Sequence, residues 1–232
     1  MQRVNINGVE VYPFTSRMQL LDYVDAHHAI LVAINAEKLM HATAQTRGII
    51  NSNIGYCDGM GAVMAMKQKG EKRACKIPGC ELWLDIVERY HATKSFYLVG
   101  SKPEVIEQTV AKLKATYPDI NIVGYRDGYL KGDDDRSRLI EQIATLKPDV
   151  VFVAMGSPKQ EILMSEMQQR HSAIYQGLGG SFDVYTGHVQ RAPKWWLDHN
   201  LEFAYRFLTH PGRFKRQLPI LQLAVKLLFH RV

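Results

Sequence analysis

An aspartate stands at a position where a carboxylate can act as a base. Asp58 follows the apolar run of residues 54–57 and precedes Gly59, an arrangement typical of the end of a buried strand. Burial at such a place raises the pKa of a carboxyl group toward values that suit a general base. Asp is also a favoured N-cap, and residues 62–66 look helical, so capping of that helix is an equally good interpretation from position alone.

Other polar residues and glycines follow further apolar runs in the same way. These turns are Asn35, Gly100-Ser101, residues 156–160 and residues 177–180. Ligands of open parallel sheets bind outside the carboxyl ends of the strands, so we predict one crevice lined by these turns. Gly100 is a candidate diphosphate cradle because glycine lets backbone amides approach a phosphate, although a plain turn is its commoner role. The dinucleotide fingerprint and the P-loop motif do not occur.

The sequence does not predict a metal site. Asp133-Asp134-Asp135 resembles the acidic triplet with which many sugar-nucleotide enzymes hold a divalent cation. The triplet follows Gly132 and precedes the helical run 136–146, so its simpler role is to stabilise the positive end of that helix. The nine histidines are scattered, and the three cysteines lack zinc-site spacing and suit reduced cytosolic thiols. We therefore expect neither metal nor cofactor.

The elements that position these residues alternate between short strands and longer helices. Apolar runs predict strands at residues 29–34, 54–57, 96–99, 120–123, 150–154 and 173–175, and helices are predicted at 16–27, 37–51, 103–117, 135–146 and 159–170. Such alternation implies right-handed βαβ units. We therefore predict an α/β fold, a Rossmann-like parallel sheet flanked by helices. A hairpin around Asn7-Gly8 precedes it.

Charge divides the chain near residue 190. The chain has 29 basic and 23 acidic residues, and residues 191–232 hold eight of the basic and two of the acidic ones, which leaves the preceding part neutral. We predict an α/β catalytic domain over residues 1–190 and a small, basic, helical C-terminal appendage over residues 191–232. Such asymmetry indicates an anionic partner at the appendage, either membrane phosphate or nucleic acid.

The end of the appendage has the pattern of an amphipathic helix. Residues 218–229 are mostly apolar, interrupted by Gln222 and Lys226, and are too short for a bilayer, which takes about 20 apolar residues. We expect this helix in the membrane interface with its basic side toward anionic headgroups, and packing on the protein's own core is the alternative. Without a secretory signal, the protein is expected to be cytoplasmic and peripheral on the inner face of the cell membrane.

Four strings resemble a bacterial glycosyltransferase family that makes wall teichoic acid linkage units and enterobacterial common antigen. They are V-A-I-N-A-E-K at 32–38, C-D-G at 57–59, V-A-M-G-S-P-K-Q-E at 153–161 and T-G-H-V-Q-R-A-P-K at 186–194, within a similarity that covers about residues 4–218. Ala33 departs from the Thr usual in the teichoic branch and matches the uronic-acid branch. Lys76 stands where many relatives have Arg, which puts bidentate binding of a phosphate or carboxylate there in doubt.

The resemblance implies an inverting, metal-independent transfer of N-acetylmannosaminuronic acid, or N-acetylmannosamine, from UDP to undecaprenyl-diphosphate-linked N-acetylglucosamine. Asp58 would be the general base, and Gln160 and Asn35 would position the donor and acceptor sugars. The substrate-binding residues would be Gly59, Lys76, Gly100, Gly156, Lys159, Arg191, Arg206, Arg213 and Arg216. The implied partners are a UDP-sugar, the lipid-linked acceptor and an anionic membrane surface, without nucleic acid, and a homo-oligomer is compatible with the sequence.

Two other functions stay open from the residues alone. A nucleic-acid-binding protein would use the basic appendage, but helix-turn-helix, zinc-finger and RNA-recognition signatures do not occur in the sequence. A module that binds a nucleotide sugar without turnover would not need Asp58 as a base. Replacement of Asp58 by Asn separates that module from an enzyme.

Overall fold

The computed structural model describes residues 1–199, 201–209 and 218–229. The strands are β1 (Val4–Ile6), β2 (Val9–Val11), β3 (Ile30–Ile34), β4 (Ile54–Cys57), β5 (Ser95–Gly100), β6 (Asn121–Arg126), β7 (Val150–Ala154) and β8 (Ile174–Gly177). The helices are α1 (Arg17–Asp25), α2 (Ala36–His41), α3 (Ala44–Asn51), α4 (Met60–Gln68), α5 (Gly79–Tyr90), α6 (Pro103–Thr116), α7 (Asp133–Leu146), α8 (Lys159–Arg170), α9 (Ser181–Tyr185), α10 (Lys194–Asp198), α11 (Glu202–Thr209) and α12 (Leu218–Leu228).

Six strands form one parallel sheet in the order β4-β3-β8-β7-β5-β6. From β5 the chain passes to β6 on one side, and from β7 it passes to β8 on the other side. These neighbouring strands therefore form a topological switch point, where open sheets leave a crevice at the carboxyl ends of the strands. The predicted α/β class, a Rossmann-like parallel sheet flanked by helices, is confirmed.

Helices cover both faces of the sheet, and each strand sends alternate side chains into two cores. From β7, Val151 and Val153 pack with residues of α2, α3, α4, α7, α8 and α12. Phe152, between them, packs with residues of α1, α5, α6 and α9. All residues of β7 are buried, as is typical of a central parallel strand, so the strand appears in the sequence as an unbroken apolar run.

The predicted hairpin is confirmed, and it lies against the outer edge of the sheet. Asn7 and Gly8 have φ values of 52° and 84°, and two left-handed residues in succession give a turn whose twist suits a tight hairpin. After β2, the Tyr12 N–H donates a hydrogen bond to the Gly55 carbonyl at 2.8 Å. The hairpin is thereby fastened to β4.

Several predicted bounds differ from the observed ones, as three elements illustrate. The helix predicted over residues 37–51 is two helices, because the Thr43 side chain accepts a hydrogen bond from a backbone N–H and starts α3. Strand β8 continues beyond residue 175 and includes the polar residue Gln176. Helix α7 begins at Asp133, so the whole acidic triplet lies in its first turn.

The last described helix, α12, packs against α2 and α4. Leu223 is buried over Gly61, where an added Cβ would lie 2.7 Å from Leu223 Cδ2. Lys226 Nζ donates to Asn7 Oδ1 at 2.8 Å, so the basic residue of this helix faces the hairpin. One face of α12 therefore packs on the body, as the alternative interpretation held.

The opposite face of α12 exposes apolar side chains to solvent. This apolar stripe consists of Leu218, Leu221, Val225 and Leu228, together with Phe229 directly after the helix. The side that α12 turns to solvent is thus apolar, whereas the basic side was expected to face the headgroups. Within the described ranges, no helix has the length and hydropathy needed to cross a bilayer.

Candidate active site

Asp58 lies immediately after β4, half-buried at the carboxyl edge of the sheet. Its N–H donates to the Ile34 carbonyl at 3.0 Å, which fixes it beside the end of β3. Its Oδ1 accepts a hydrogen bond from the N–H of Gly79, the first residue of α5, at 2.7 Å. The N-cap of α4 is Gly59, without a side-chain cap, so the interpretation of Asp58 as the cap of that helix is wrong.

Asn35 and Gly59 lie beside Asp58 at the ends of adjacent strands. A Cβ at Gly59 would lie 3.7 Å from Asn35 Cβ. Asn35 Oδ1 accepts a hydrogen bond from the Lys38 N–H at 3.1 Å and so caps α2. The cap fixes the Asn35 side chain at the end of β3, where the sequence placed it.

Two cations flank this edge. Lys76 belongs to a segment that returns along the end of β4, since the N–H of the next residue donates to the Cys57 carbonyl at 2.7 Å. Arg191 Nη1 donates to Glu81 Oε1 on α5 at 2.8 Å, and its Nη2 lies 3.8 Å from Glu202 Oε2 on α11. Arg191, the first residue of the appendage, therefore links the start of α5 to α11.

The cysteines near Asp58 are free and remain thiols at neutral pH. Burial raises the pKa of Cys57 to about 12. Burial also raises the pKa of Cys80 to about 11, an increase that Arg191 lessens and the negative charge of Asp58 adds to. A thiolate nucleophile is therefore disfavoured at Cys57 and Cys80.

Gln160 fastens two of the glycine turns together. Its side chain is 4% exposed, and its Oε1 accepts hydrogen bonds from the N–H groups of Gly156 at 3.1 Å and Gly179 at 3.0 Å. Its Nε2 donates to Glu161 Oε1 at 3.2 Å. Gln160 is therefore not a solvated side chain, whereas the neighbouring Lys159 is exposed.

A buried ion pair joins α2, the helix after β3, to α8, the helix after β7. Lys38 Nζ lies 3.3 Å from Glu161 Oε1, with the two side chains 12% and 2% exposed. Glu161 Oε2 makes no hydrogen bond to any residue that the structure describes. The pair connects Gln160 to the helix that Asn35 caps. Sequence analysis assigned neither residue, although both belong to the quoted strings.

The contacts of Gly100 explain why this position holds glycine. Its φ is +132°, and a Cβ would lie 2.3 Å from the Ala154 carbonyl oxygen, to which the Ser101 N–H donates at 3.0 Å. Glycine is required here by the close approach of two strands. At Gly156 an added Cβ would meet no described atom within 4 Å. That Gly100 and Gly156 contact substrate stays a prediction.

The acidic triplet has a structural partner. Asp135 accepts two hydrogen bonds from the Arg126 guanidinium, at 3.1 and 3.0 Å. These bonds and the Lys131 N–H lower the pKa of Asp135 to about 2. In the part of the chain that the structure describes, no three His, Cys, Asp or Glu side chains form a group able to hold a metal ion.

Of the predicted substrate-binding arginines Arg206, Arg213 and Arg216, one lies in the described part of the chain. Arg206 lies in α11, the helix that Arg191 links to α5 through Glu202. Arg213 and Arg216 lie outside the described residues. Their role in substrate binding stays a prediction.

Sequence analysis missed the buried polar residues behind Asp58. Gln176 and Tyr56 are 0% exposed, on the face of the sheet that α5 covers. The available signal was a glutamine directly after an apolar run, at a place where a central strand would otherwise continue with an apolar residue.

One family model describes the chain over nearly its full length. Its description is "Glycosyl transferase WecG/TagA/CpsF family", and it matches residues 4–232. The matched range includes the four strings on which the resemblance rests and every predicted site residue. The resemblance is thereby confirmed at the level of the family.

Proposed function

Since the chain belongs to the glycosyl transferase WecG/TagA/CpsF family, we propose that it transfers N-acetylmannosaminuronic acid, or N-acetylmannosamine, from UDP to undecaprenyl-diphosphate-linked N-acetylglucosamine. Membership makes the protein a glycosyltransferase of cell-surface polysaccharide synthesis, with a nucleotide-sugar donor and a sugar acceptor. The UDP donor, the lipid-linked acceptor and a product of the enterobacterial common antigen type belong to the proposal. Ala33, which matches the uronic-acid branch, supports the choice of donor.

The placement of Asp58 carries the proposal for the chemical step. In an inverting displacement, the acceptor hydroxyl oxygen forms a bond to the anomeric carbon while the bond from that carbon to UDP breaks. The hydroxyl proton passes to the Asp58 carboxylate, which acts as general base. The hydrogen bond of 2.7 Å from the Gly79 N–H to Oδ1 supports this role because it keeps the carboxylate at the strand end in one orientation.

Cations offset the charge of the departing UDP in this mechanism. Lys76 precedes Ile77, whose N–H bonds to the end of β4, Arg191 bonds to Glu81 at the start of α5, and Lys159 is exposed at the start of α8. The proposal adds Arg206, Arg213 and Arg216 of the appendage to this group. With fixed cations at the diphosphate, the reaction needs no metal ion. The link from Arg191 to Glu202 supports a site that the appendage completes, since it holds α11 near α5.

The apolar stripe of α12 supports a peripheral position on the membrane. A helix of this kind inserts its apolar face between the headgroups, and nearby cations add about 1 kcal/mol each on an anionic surface. Replacement of Leu221 and Val225 by Asp should abolish sedimentation with anionic vesicles and leave transfer to a short-chain soluble acceptor intact. Vesicle binding equal to wild type would overturn the membrane proposal. Deletion after Pro211 removes Arg213, Arg216 and α12, and loss of transfer to the soluble acceptor would then indicate that this part of the appendage completes the site.

The catalytic proposal is tested by UDP release from a panel of UDP-sugars with lipid-linked N-acetylglucosamine. Asp58→Asn should bind UDP like wild type and lower kcat by about 10²–10⁴-fold, the usual contribution of a general base. Asp119→Asn, the same change at an exposed site before β6, is the matched control and should keep wild-type activity. Turnover of Asp58→Asn at the wild-type rate would refute the proposal. Inhibition by a chelator would refute its metal-independent form.

A further inference from the structure

A buried polar network lies directly behind Asp58. Gln176 Nε2 donates to the Gly79 carbonyl at 3.2 Å and to the Tyr56 hydroxyl at 3.3 Å. The N–H of the same Gly79 donates to Asp58 Oδ1 at 2.7 Å. Gly79 is thus held by Gln176 on one side and bonds to Asp58 on the other.

This network costs stability where apolar packing would serve the fold better. Gln176 is 0% exposed in a central strand, and its Oε1 makes no hydrogen bond to any residue within the described ranges. A buried carbonyl oxygen without a partner has lost its hydrogen bonds to water and has gained none within the protein, which lowers stability. Tyr56 is equally buried, and this burial, followed by the nearby Asp58, raises its pKa, so its hydroxyl stays neutral. An apolar side chain at position 176 would avoid the cost but would release Gly79.

We propose that Gln176 is a positioning residue for proton transfer: it fixes Gly79, and through the Gly79 N–H it fixes the rotation of the Asp58 carboxylate. The inference rests on the proposed function, in which Asp58 takes the proton of the acceptor hydroxyl. A base must present its oxygen along the line of the leaving proton, and a displacement of about 1 Å at such a centre costs on the order of 100-fold in rate. Gln176 itself touches no substrate.

The packing around Gly79 leaves no room for a side chain at this position. A Cβ at Gly79 would lie 2.9 Å from the Tyr56 hydroxyl oxygen, 3.5 Å from Ala33 Cβ and 3.7 Å from Asp58 Oδ1. The Tyr56 ring is fully buried, so the hydroxyl cannot withdraw into solvent. Any side chain at position 79 therefore displaces the start of α5, and with it the N–H that holds Asp58.

The first test replaces Gln176 by Met, which keeps the length of the side chain and removes its hydrogen bonds. We expect kcat to fall about tenfold or more, with the donor KM and the affinity for UDP within about twofold of wild type. Gln168→Met is the matched control, since it removes a hydrogen bond of 2.9 Å to Asn53 Oδ1 at the opposite end of the sheet. It should keep the wild-type kcat. A wild-type kcat in Gln176→Met, or a change confined to KM, would overturn the inference.

Two further variants separate positioning from general damage. In the Asp58→Asn background, Gln176→Met should lower kcat no further, because a positioning residue has nothing left to position. An additional tenfold loss there would contradict the inference. Gly79→Ala should also lower kcat, and adding Tyr56→Phe should restore it by removing the atom that the new Cβ meets at 2.9 Å. Failure of Tyr56→Phe to restore kcat would also contradict the inference. The Gly79→Ala variant and its double variant with Tyr56→Phe therefore test the inference even if Gln176→Met does not fold.

The outcomes distinguish this inference from the proposed function. A fully active Asp58→Asn variant would refute the proposed function, and the inference with it. An inactive Asp58→Asn variant together with a fully active Gln176→Met variant would refute the inference alone.

Discussion

The buried pair of Lys38 and Glu161 yields the sharpest prediction on stability. Lys38→Met leaves a carboxylate that is 2% exposed without its cation, and loss of one partner from a buried pair costs about 3–5 kcal/mol. Glu161→Gln leaves an ammonium whose side chain is 12% exposed. Because a lysine stem can carry its charge toward water, we expect this variant to lose only about 1–3 kcal/mol.

The double variant should recover much of this loss. With both charges removed, no uncompensated charge stays buried, and a neutral replacement of a buried pair is often close to neutral in stability. We expect Lys38→Met/Glu161→Gln to lose about 1–2 kcal/mol, which implies a coupling energy of about 2 kcal/mol or more between the two sites.

Urea unfolding of the four proteins in this cycle measures these free energies, provided that the m-value stays constant across the variants. The pair formed by Arg170 and Glu141 is the control, because its side chains are 58% and 65% exposed. Its coupling should stay below about 1 kcal/mol, as in other exposed pairs. If the losses at Lys38 and Glu161 simply add, or if Glu161→Gln is the more damaging change, the reasoning from burial is refuted.

Three further changes test other parts of the structure. Leu223→Ala should lower the free energy of unfolding by about 2–4 kcal/mol by opening a cavity under α12, whereas Leu221→Ala, at an exposed site, should change it by less than about 0.5 kcal/mol in urea unfolding; equal effects would mean that α12 does not pack as described. Asp135→Asn should lower the melting temperature at pH 7. It should also remove the contribution of Asp135 to the loss of stability that wild type undergoes as the pH falls from about 4, near the pKa of an unfolded Asp, to about 2, where Asp135 titrates in the fold; unchanged acid melting curves would contradict this role of Arg126. Gly100→Ala should destabilise by about 2 kcal/mol or more in the same urea assay, since the position has φ +132° and its Cβ would lie 2.3 Å from a carbonyl oxygen, and wild-type stability would refute that packing.

The strands were predictable because central parallel strands are apolar on both faces. Residues 150–154 form such a run, and β7 has those same bounds. The run at 173–175 ended too early because Gln176 is polar, although it lies in β8 and is fully buried. A buried polar side chain is retained for what it bonds to, and hydrophobic periodicity carries no information about that.

The location of Asp58 was predictable, and its partner was not. Its place after β4 follows from the strand pattern and the glycine behind it. Its hydrogen bond reaches Gly79, 21 residues further along the chain, after a segment of 69–78 that has no helix or strand. Periodic patterns describe neighbours on one element, whereas this contact depends on how an irregular segment returns to the sheet. The link between Lys38 in α2 and Glu161 in α8 was not predictable either, because it joins two helices that are far apart in the sequence.

The two borders of the sheet differ in how they could meet another molecule. Along β4 the hairpin occupies the outer side, where the Gly55 carbonyl already accepts the Tyr12 N–H. Among the strands that the structure describes, β6 has β5 as its single neighbour and carries the exposed side chain of Tyr125. Unsatisfied backbone groups on such a border can template pairing with a foreign strand. Of these two borders, β6 is therefore the one from which a second copy of this protein could extend the sheet.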